Sequence, residues 1–234
     1  AVIAGVFTAI TGALLVADLK QPSRFLYILT KSNTESWLVR GAWILGAFAA
    51  LVGLWGLLDL IGSNSALPWL SLPMVLLSAG VAGYTAFLFG QCEGRDLWQT
   101  PLLLPTLLAQ AVVAGGSTYL LLDLFIDVPE VKAIRITTLA ALGALSLLIA
   151  TEVVSHGSRT VELATLEMTK GAYARRFWLG GVVAGLIVPI ALIALALNGS
   201  APQGLGAIAA ICALVGLFSY EDAFVRAGQS VPLS

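Results

Sequence analysis

The chain has 234 residues, 59% hydrophobic and 11% charged, with a formal net charge of −1 and a mean hydropathy of +0.95. Soluble domains carry about 25% charged residues, so this composition excludes a water-exposed globular surface, and with no basic tail or patch it excludes a nucleic-acid partner. Cys92 and Cys212 show no metal-ligand spacing and read as small apolar fillers.

Seven apolar spans follow in sequence order: Ala1 to Ala17, Trp37 to Ile61, Leu67 to Phe89, Pro101 to Phe125, Val131 to Val153, Phe177 to Leu197 and Leu205 to Phe224. Runs of about 20 uncharged residues match the thickness of a bilayer's hydrocarbon core. They lack the period-two alternation of barrel strands, so each satisfies its backbone hydrogen bonds as a helix. The predicted fold is an all-α polytopic transmembrane bundle, read as a single integral membrane domain over residues 1–234. Asn64, Ser65 and Pro68 suit a helix entry, and Thr100-Pro101 reads as an N-cap followed by proline at the first helical position. Gly62, Gly94 and Gly199 punctuate helix ends. The pairs Gly115-Gly116 and Gly180-Gly181, with Gly185, permit close helix packing. The start at Ala1 lacks the basic n-region and cleavage motif of a signal peptide, so the sequence reads as part of a longer chain.

Alternate loops share a side. With the 18–40 loop on side A, ten of the twelve Lys and Arg fall there and only Lys132 and Arg135 fall on side B. The positive-inside rule makes side A cytoplasmic. Side A has two long loops. Asp18 to Ser36 holds Phe25 to Leu29 between Arg24 and Lys31, a composition that suits an interfacial helix, and Val154 to Arg176 is amphipathic too. Side B has short loops that let a soluble subunit approach the bilayer edge.

One histidine, His156, does not supply the paired axial ligands of a buried b-type haem, and no cysteine cluster suits iron and sulfur. Electrons must therefore enter from a partner's cofactor if the protein transfers them. Tyr119 and Asp123 lie four residues apart near side B, and Arg135 opens the next span. A phenol, a carboxylate and a guanidinium at one bilayer edge suit a quinone headgroup; equally, Asp123 to Arg135 suits a solvated loop and Tyr119 a belt aromatic. Glu152 and His156, also four apart at side A, suit proton exchange or a plain helix end. Asp18, Arg24 and Arg40 fit an ion-pair cluster or the cytoplasmic mouth of a proton path.

The segments ADLKQPSRFLYIL and SWLVRGAWIL resemble the NrfD-like family, the membrane subunits of polysulfide and nitrite reductase systems. Asp18, Leu19, Pro22, Arg24 and Phe25 match its span-ending motif, with Lys20 in place of the usual Gly, and Ser36, Trp37, Gly41, Ala42 and Trp43 match its helix start. GRDLWQTPLLLP, GAYARRFWLGGVVAGLIVPI and VRAGQSVPLS follow in the family's order. The resemblance implies eight helices in two four-helix bundles, seven of them visible here, with the first transmembrane helix missing. It implies menaquinone or ubiquinone as bound substrate and no haem or iron–sulfur cluster in this subunit. It also implies a ferredoxin-like iron–sulfur subunit on the periplasmic face, a further catalytic subunit of molybdopterin or multihaem type, and a bacterial inner membrane. Relatives occur in alternative complex III. The competing readings are a transporter or proton channel, and a passive anchor.

Overall fold

The computed structural model describes residues 2–17, 34–155, 157–198 and 204–233. These are mainly helical, and among them no strand is formed. Among the described residues, six helices are long and apolar enough to cross a membrane: α2 (Trp37–Leu60), α3 (Leu67–Gly90), α4 (Leu103–Leu122), α5 (Val131–Val154), α7 (Arg176–Leu197) and α8 (Gly204–Ser230). The first expected span forms α1 (Val2–Ala17), apolar but with only 16 residues, so the count of full-length spans is one below the seven expected. The amphipathic segment of side A contributes α6 (Arg159–Thr169), which buries Ala164 and Met168.

The helices cluster into two compact units, Ala1–Gln91 and Cys92–Ser234. In the first, α2 packs on α3 and α1 on α2. Gly41 faces the Tyr84 ring where no Cβ would fit. Trp37 stacks on Phe87 with centroids 4.2 Å apart. Gln91 Oε1 accepts from the Trp37 backbone N–H at 3.0 Å, satisfying one orphan donor at the start of α2. A 3₁₀ turn at Asn64–Ala66 and a proline in the first turn open α3.

The second unit is a ring of four long helices. α4 packs on α5, α5 on α7, α7 on α8, and α8 back on α4. Its centre is small-residue packing: α8 buries Gly206, Ala207, Ala210, Ala213 and Gly216 along one face. Gly185 of α7 meets Gly216 of α8 backbone to backbone, a Cβ on Gly185 lying 2.7 Å from the Gly216 Cα. Gly116 meets Thr138 of α5, whereas Gly115 faces open space. The first half of α7, Arg176–Ile187, is wound as a π-helix. Pro189 follows one residue after it, beyond Val188; a proline has no N–H and its ring clashes with the carbonyl four residues back, so the wider winding accommodates it.

The connections are tied down at the end that holds Thr100. α4 begins at Leu103 with Leu102 as its cap residue, two residues later than the Thr100-Pro101 reading. Thr100 instead accepts from the Leu102 N–H at 3.3 Å through its hydroxyl. Arg95 Nη1 donates to the carbonyls of Gly228, Gln229 and Val231 at 3.0, 3.0 and 2.8 Å, which satisfies the exposed C-terminal turn of α8. Gly62 and Gly94 adopt φ of 71° and 79°, the left-handed turns that glycine permits.

Candidate functional site

Buried polar groups in an apolar bundle are costly unless paired, so their positions mark where function has displaced packing. The four-helix unit holds such groups at successive depths from one end to the other. At the Thr100 end, the Thr100 hydroxyl donates to Glu152 Oε2 at 2.9 Å, and Glu152 is buried. One level in, Gln110 Nε2 of α4 donates to Glu221 Oε1 of α8 at 2.7 Å. Thr106 and Gln110 are both buried on the inner stripe of α4. Tyr220 is also buried, its ring 6.3 Å from that of Phe177 and 6.0 Å from that of Phe224. Two turns further along α4, Ser117 is fully buried, and its Oγ has no hydrogen-bond partner among the described residues.

The opposite end holds the Asp123–Arg135 pair. Arg135 Nη2 lies 3.8 Å from Asp123 Oδ2, with side-chain exposures of 18% and 19%. Its Nη1 donates to the Ala196 carbonyl of α7 at 3.2 Å, and its Nε is buried without a partner among the described residues. The guanidinium therefore bridges the end of α4, the start of α5 and the end of α7. Asp123 is placed by the last turn of α4, its N–H donating to the Tyr119 carbonyl at 3.0 Å. The loop then turns through Glu130, a non-glycine residue at φ 55°, directly before α5.

Tyr119 is on the outer side of the same turn, 54% exposed. It stands at the rim of a groove of about 350 Å³ between α4 and α5. Val112, Gly115 and Gly116 form one wall, and Ala133, Ile134 and Thr137 the other.

The sequence-predicted site residues thus divide. Asp123 and Arg135 come together, and Tyr119 sits one helical turn from Asp123 but faces the groove. Glu152 is buried and bound by Thr100. Arg40 is exposed in the other unit, its Nε donating to the Thr34 carbonyl at 2.7 Å and its guanidinium 4.9 Å from the Trp37 ring centre. Asp18, Arg24 and His156 lie outside the described residues. Sequence reasoning missed Gln110 and Glu221. The available signal was an amide inside an otherwise uncharged span and a carboxylate inside the last span, both of which count as functional by default at membrane depth. A further carboxylate, Asp222, lies beside Glu221 but turns outward to Arg176 and, at 2.6 Å, to Arg226 Nε.

This architecture, apolar helices of membrane-crossing length around a row of buried polar side chains, defines an integral membrane protein of the polytopic helical class. The family model described as "Polysulphide reductase, NrfD" matches residues 1–232, and the protein belongs to that family. It is 27% identical over 244 residues to the C subunit of polysulfide reductase from Wolinella succinogenes, an alignment that takes in 93% of this protein and 77% of the relative. No solved structure matches it.

Proposed function

We propose that this protein is the quinone-interacting membrane subunit of a multi-subunit respiratory oxidoreductase. Family membership and the likeness to a reductase subunit support the role of membrane subunit in a redox complex. The observation that carries the quinone reading is the Asp123–Arg135 pair with Tyr119 one turn away. Oxidation of a quinol to a quinone releases two electrons and two protons; reduction consumes the same. Tyr119 donates a hydrogen bond to a ring oxygen. Asp123 takes or returns the two protons in turn, exchanging each with water at the bilayer edge, and Arg135 orients its carboxylate. The electrons pass to or from an iron–sulfur partner docked beside this end on the periplasmic face, and a further catalytic subunit completes the complex. Menaquinone or ubiquinone is the substrate, and the basic loops face the cytoplasm of a bacterial inner membrane.

The buried row from Glu152 through Gln110 and Glu221 to Ser117 favours one addition. It supplies protonatable and hydrogen-bonding groups at successive depths of the unit, which supports proton conduction toward or away from the cytoplasmic face. Ser117 Oγ and Arg135 Nε, unpartnered among the described residues, would be the places for such water.

The test is turnover of the purified complex. Asp123→Asn keeps the size of the side chain and removes its proton-accepting function. Quinone-linked turnover is expected to fall by roughly 100-fold, the lower end of a general acid–base contribution, while assembly is retained. Unchanged turnover and unchanged sensitivity to a quinone-analogue inhibitor remove Asp123 from the site. Absence of quinone from the purified complex, together with absence of quinone turnover, removes the reading itself and leaves a proton-conducting or anchoring protein.

A further inference from the structure

At the Thr100 end of the four-helix unit, α7 and α8 meet in a cluster of charge that neither the quinone reading nor the buried polar row uses. Asp222 is shared there. Its Oδ2 accepts from Arg176 Nη1 of α7, and its Oδ1 accepts from Arg226 Nε of α8 at 2.6 Å. One carboxylate offsets one guanidinium, so two guanidiniums side by side on it keep a net positive charge. Both arginine side chains are 54% exposed. A guanidinium has five N–H donors, and among the described residues neither arginine donates to any group besides Asp222.

The surroundings add to the excess. Lys170 and Arg175 are exposed in the stretch that leads into α7. Against them stands Glu167, whose Oε2 accepts from the Ala172 N–H at 3.2 Å. Glu221, next to Asp222, is turned inward to Gln110. Trp178 is half-exposed and tied to this stretch by its Nε1, which donates to the Thr169 carbonyl at 2.9 Å. An indole bound to a polar loop at the end of an apolar helix is an interfacial anchor, which sets the cluster at headgroup depth.

Away from the cluster the same face turns apolar. Ile211, Val215, Ser219, Asp222 and Arg226 follow at spacings of three and four, so they share one face of α8. Ile211 and Val215 are both exposed. The Ser219 hydroxyl is satisfied by the Val215 carbonyl at 2.8 Å. Gly180 of α7 meets Ser219 where no Cβ would fit, so the seam between the helices is shallow at that level. Ser219 to Ile211 is eight residues, about 12 Å of helix, within the roughly 15 Å that one leaflet's hydrocarbon occupies.

We propose that Arg176 and Arg226, held together by Asp222, form a binding site for an anionic phospholipid. Its phosphate bridges the two guanidiniums, and an acyl group lies along Ser219, Val215 and Ile211. Arginine binds phosphate oxygens in pairs, and basic pockets between transmembrane helices take anionic headgroups. A zwitterionic headgroup carries its own cation, which the local excess of positive charge disfavours. A soluble acidic segment of another subunit matches the arginines but not the apolar face beneath them. The bound lipid supplies the second negative charge and fastens the start of α7 to the end of α8. The site does not depend on the quinone reading.

The experiment uses the purified complex in lipid nanodiscs, with phosphatidylglycerol and phosphatidylcholine probes that each carry a diazirine on one acyl group. The phosphatidylglycerol probe is expected to label peptides spanning residues 211–219 severalfold more than the phosphatidylcholine probe. Arg176→Gln and Arg226→Gln should each lower that label roughly fivefold, the scale of one basic side chain at a membrane surface. The two lie on different helices, so one covers a failure of the other to fold. Asp222→Asn separates binding from structure. It breaks the same ion pairs but leaves both guanidiniums and removes the competing charge, so labelling should rise; a merely structural cluster would lose label with this variant too. Glycerol phosphate should displace no more label than sodium chloride at equal ionic strength. Specific displacement by it would make this a site for a free phosphate and overturn the lipid assignment. Equal labelling by the two probes, or labelling that both arginine variants leave unchanged, overturns it as well. So does absence of label from both lipids, and capture of another subunit by a photocrosslinker replacing Arg226 would then assign the arginines to a protein interface.

Discussion

Gly216→Ala adds one methyl where α7 and α8 touch, and the structure gives its consequence a sign and a size. The new Cβ would collide with the backbone of Gly185, not with the far end of a side chain. No rotamer change relieves the overlap, so the two helices must separate. Overpacking of this kind costs about 1–3 kcal/mol, and a backbone collision belongs at the upper end. Against it stands the helix propensity that alanine regains over glycine, about 1 kcal/mol. The net expectation is a loss of roughly 2 kcal/mol. Gly115→Ala is the matched control: its Cβ meets nothing among the described residues within 4 Å, so only the propensity gain of about 1 kcal/mol remains. The two substitutions, chemically identical and both in apolar helices, should therefore differ by roughly 3 kcal/mol. Reversible unfolding of the purified protein in mixed micelles, titrated with denaturing detergent and followed by loss of tertiary signal, measures that difference. A Gly216→Ala variant as stable as Gly115→Ala would mean that the two backbones do not touch, and the small-residue account of the α7–α8 crossing would be wrong.

Gln110→Leu should destabilise the protein by about 1–3 kcal/mol by leaving the buried Glu221 carboxyl without its partner; in a double-mutant cycle with Glu221→Leu the two should couple by more than about 0.5 kcal/mol, and strict additivity would show that the bond contributes nothing. A cysteine replacing Asp127 should react with a membrane-impermeant maleimide added to intact cells and one replacing Lys170 should not; the reverse pattern overturns the orientation. A photocrosslinker at Asp127 should capture an iron–sulfur subunit, and capture only from Lys170 would move both the docking side and the quinone site to the cytoplasmic half.

The spans are legible because a helix in lipid is specified by a simple quantity, a run of apolar residues of bilayer length. The predicted starts of α2, α3 and α5 at Trp37, Leu67 and Val131 coincide with the structure. The last span is predicted to end at Phe224, whereas α8 runs on to Ser230. Polarity is the misleading signal there: Glu221, Asp222 and Arg226 look like a water-facing end, but Glu221 turns inward to Gln110 while Asp222 and Arg226 pair with each other. Which way a carboxylate points depends on the facing helix, and helix pairing is not written in a single apolar run. The same limit applies to Thr100, whose partner Glu152 is 52 residues away. Asp123 and Arg135 are readable together because a short loop brings their helix ends to one side.

The closure of the four-helix ring carries a consequence for biosynthesis. α8 follows α4, α5 and α7 in the sequence, yet it supplies Glu221 to Gln110 and three carbonyls to Arg95. Until α8 is in place, α4 carries an unsatisfied buried amide and an unanchored arginine at its approach. Such a half-made bundle exposes the polar defects that membrane proteases and chaperones recognise. Polypeptides truncated within α8 should therefore be cleared from the cell soon after synthesis.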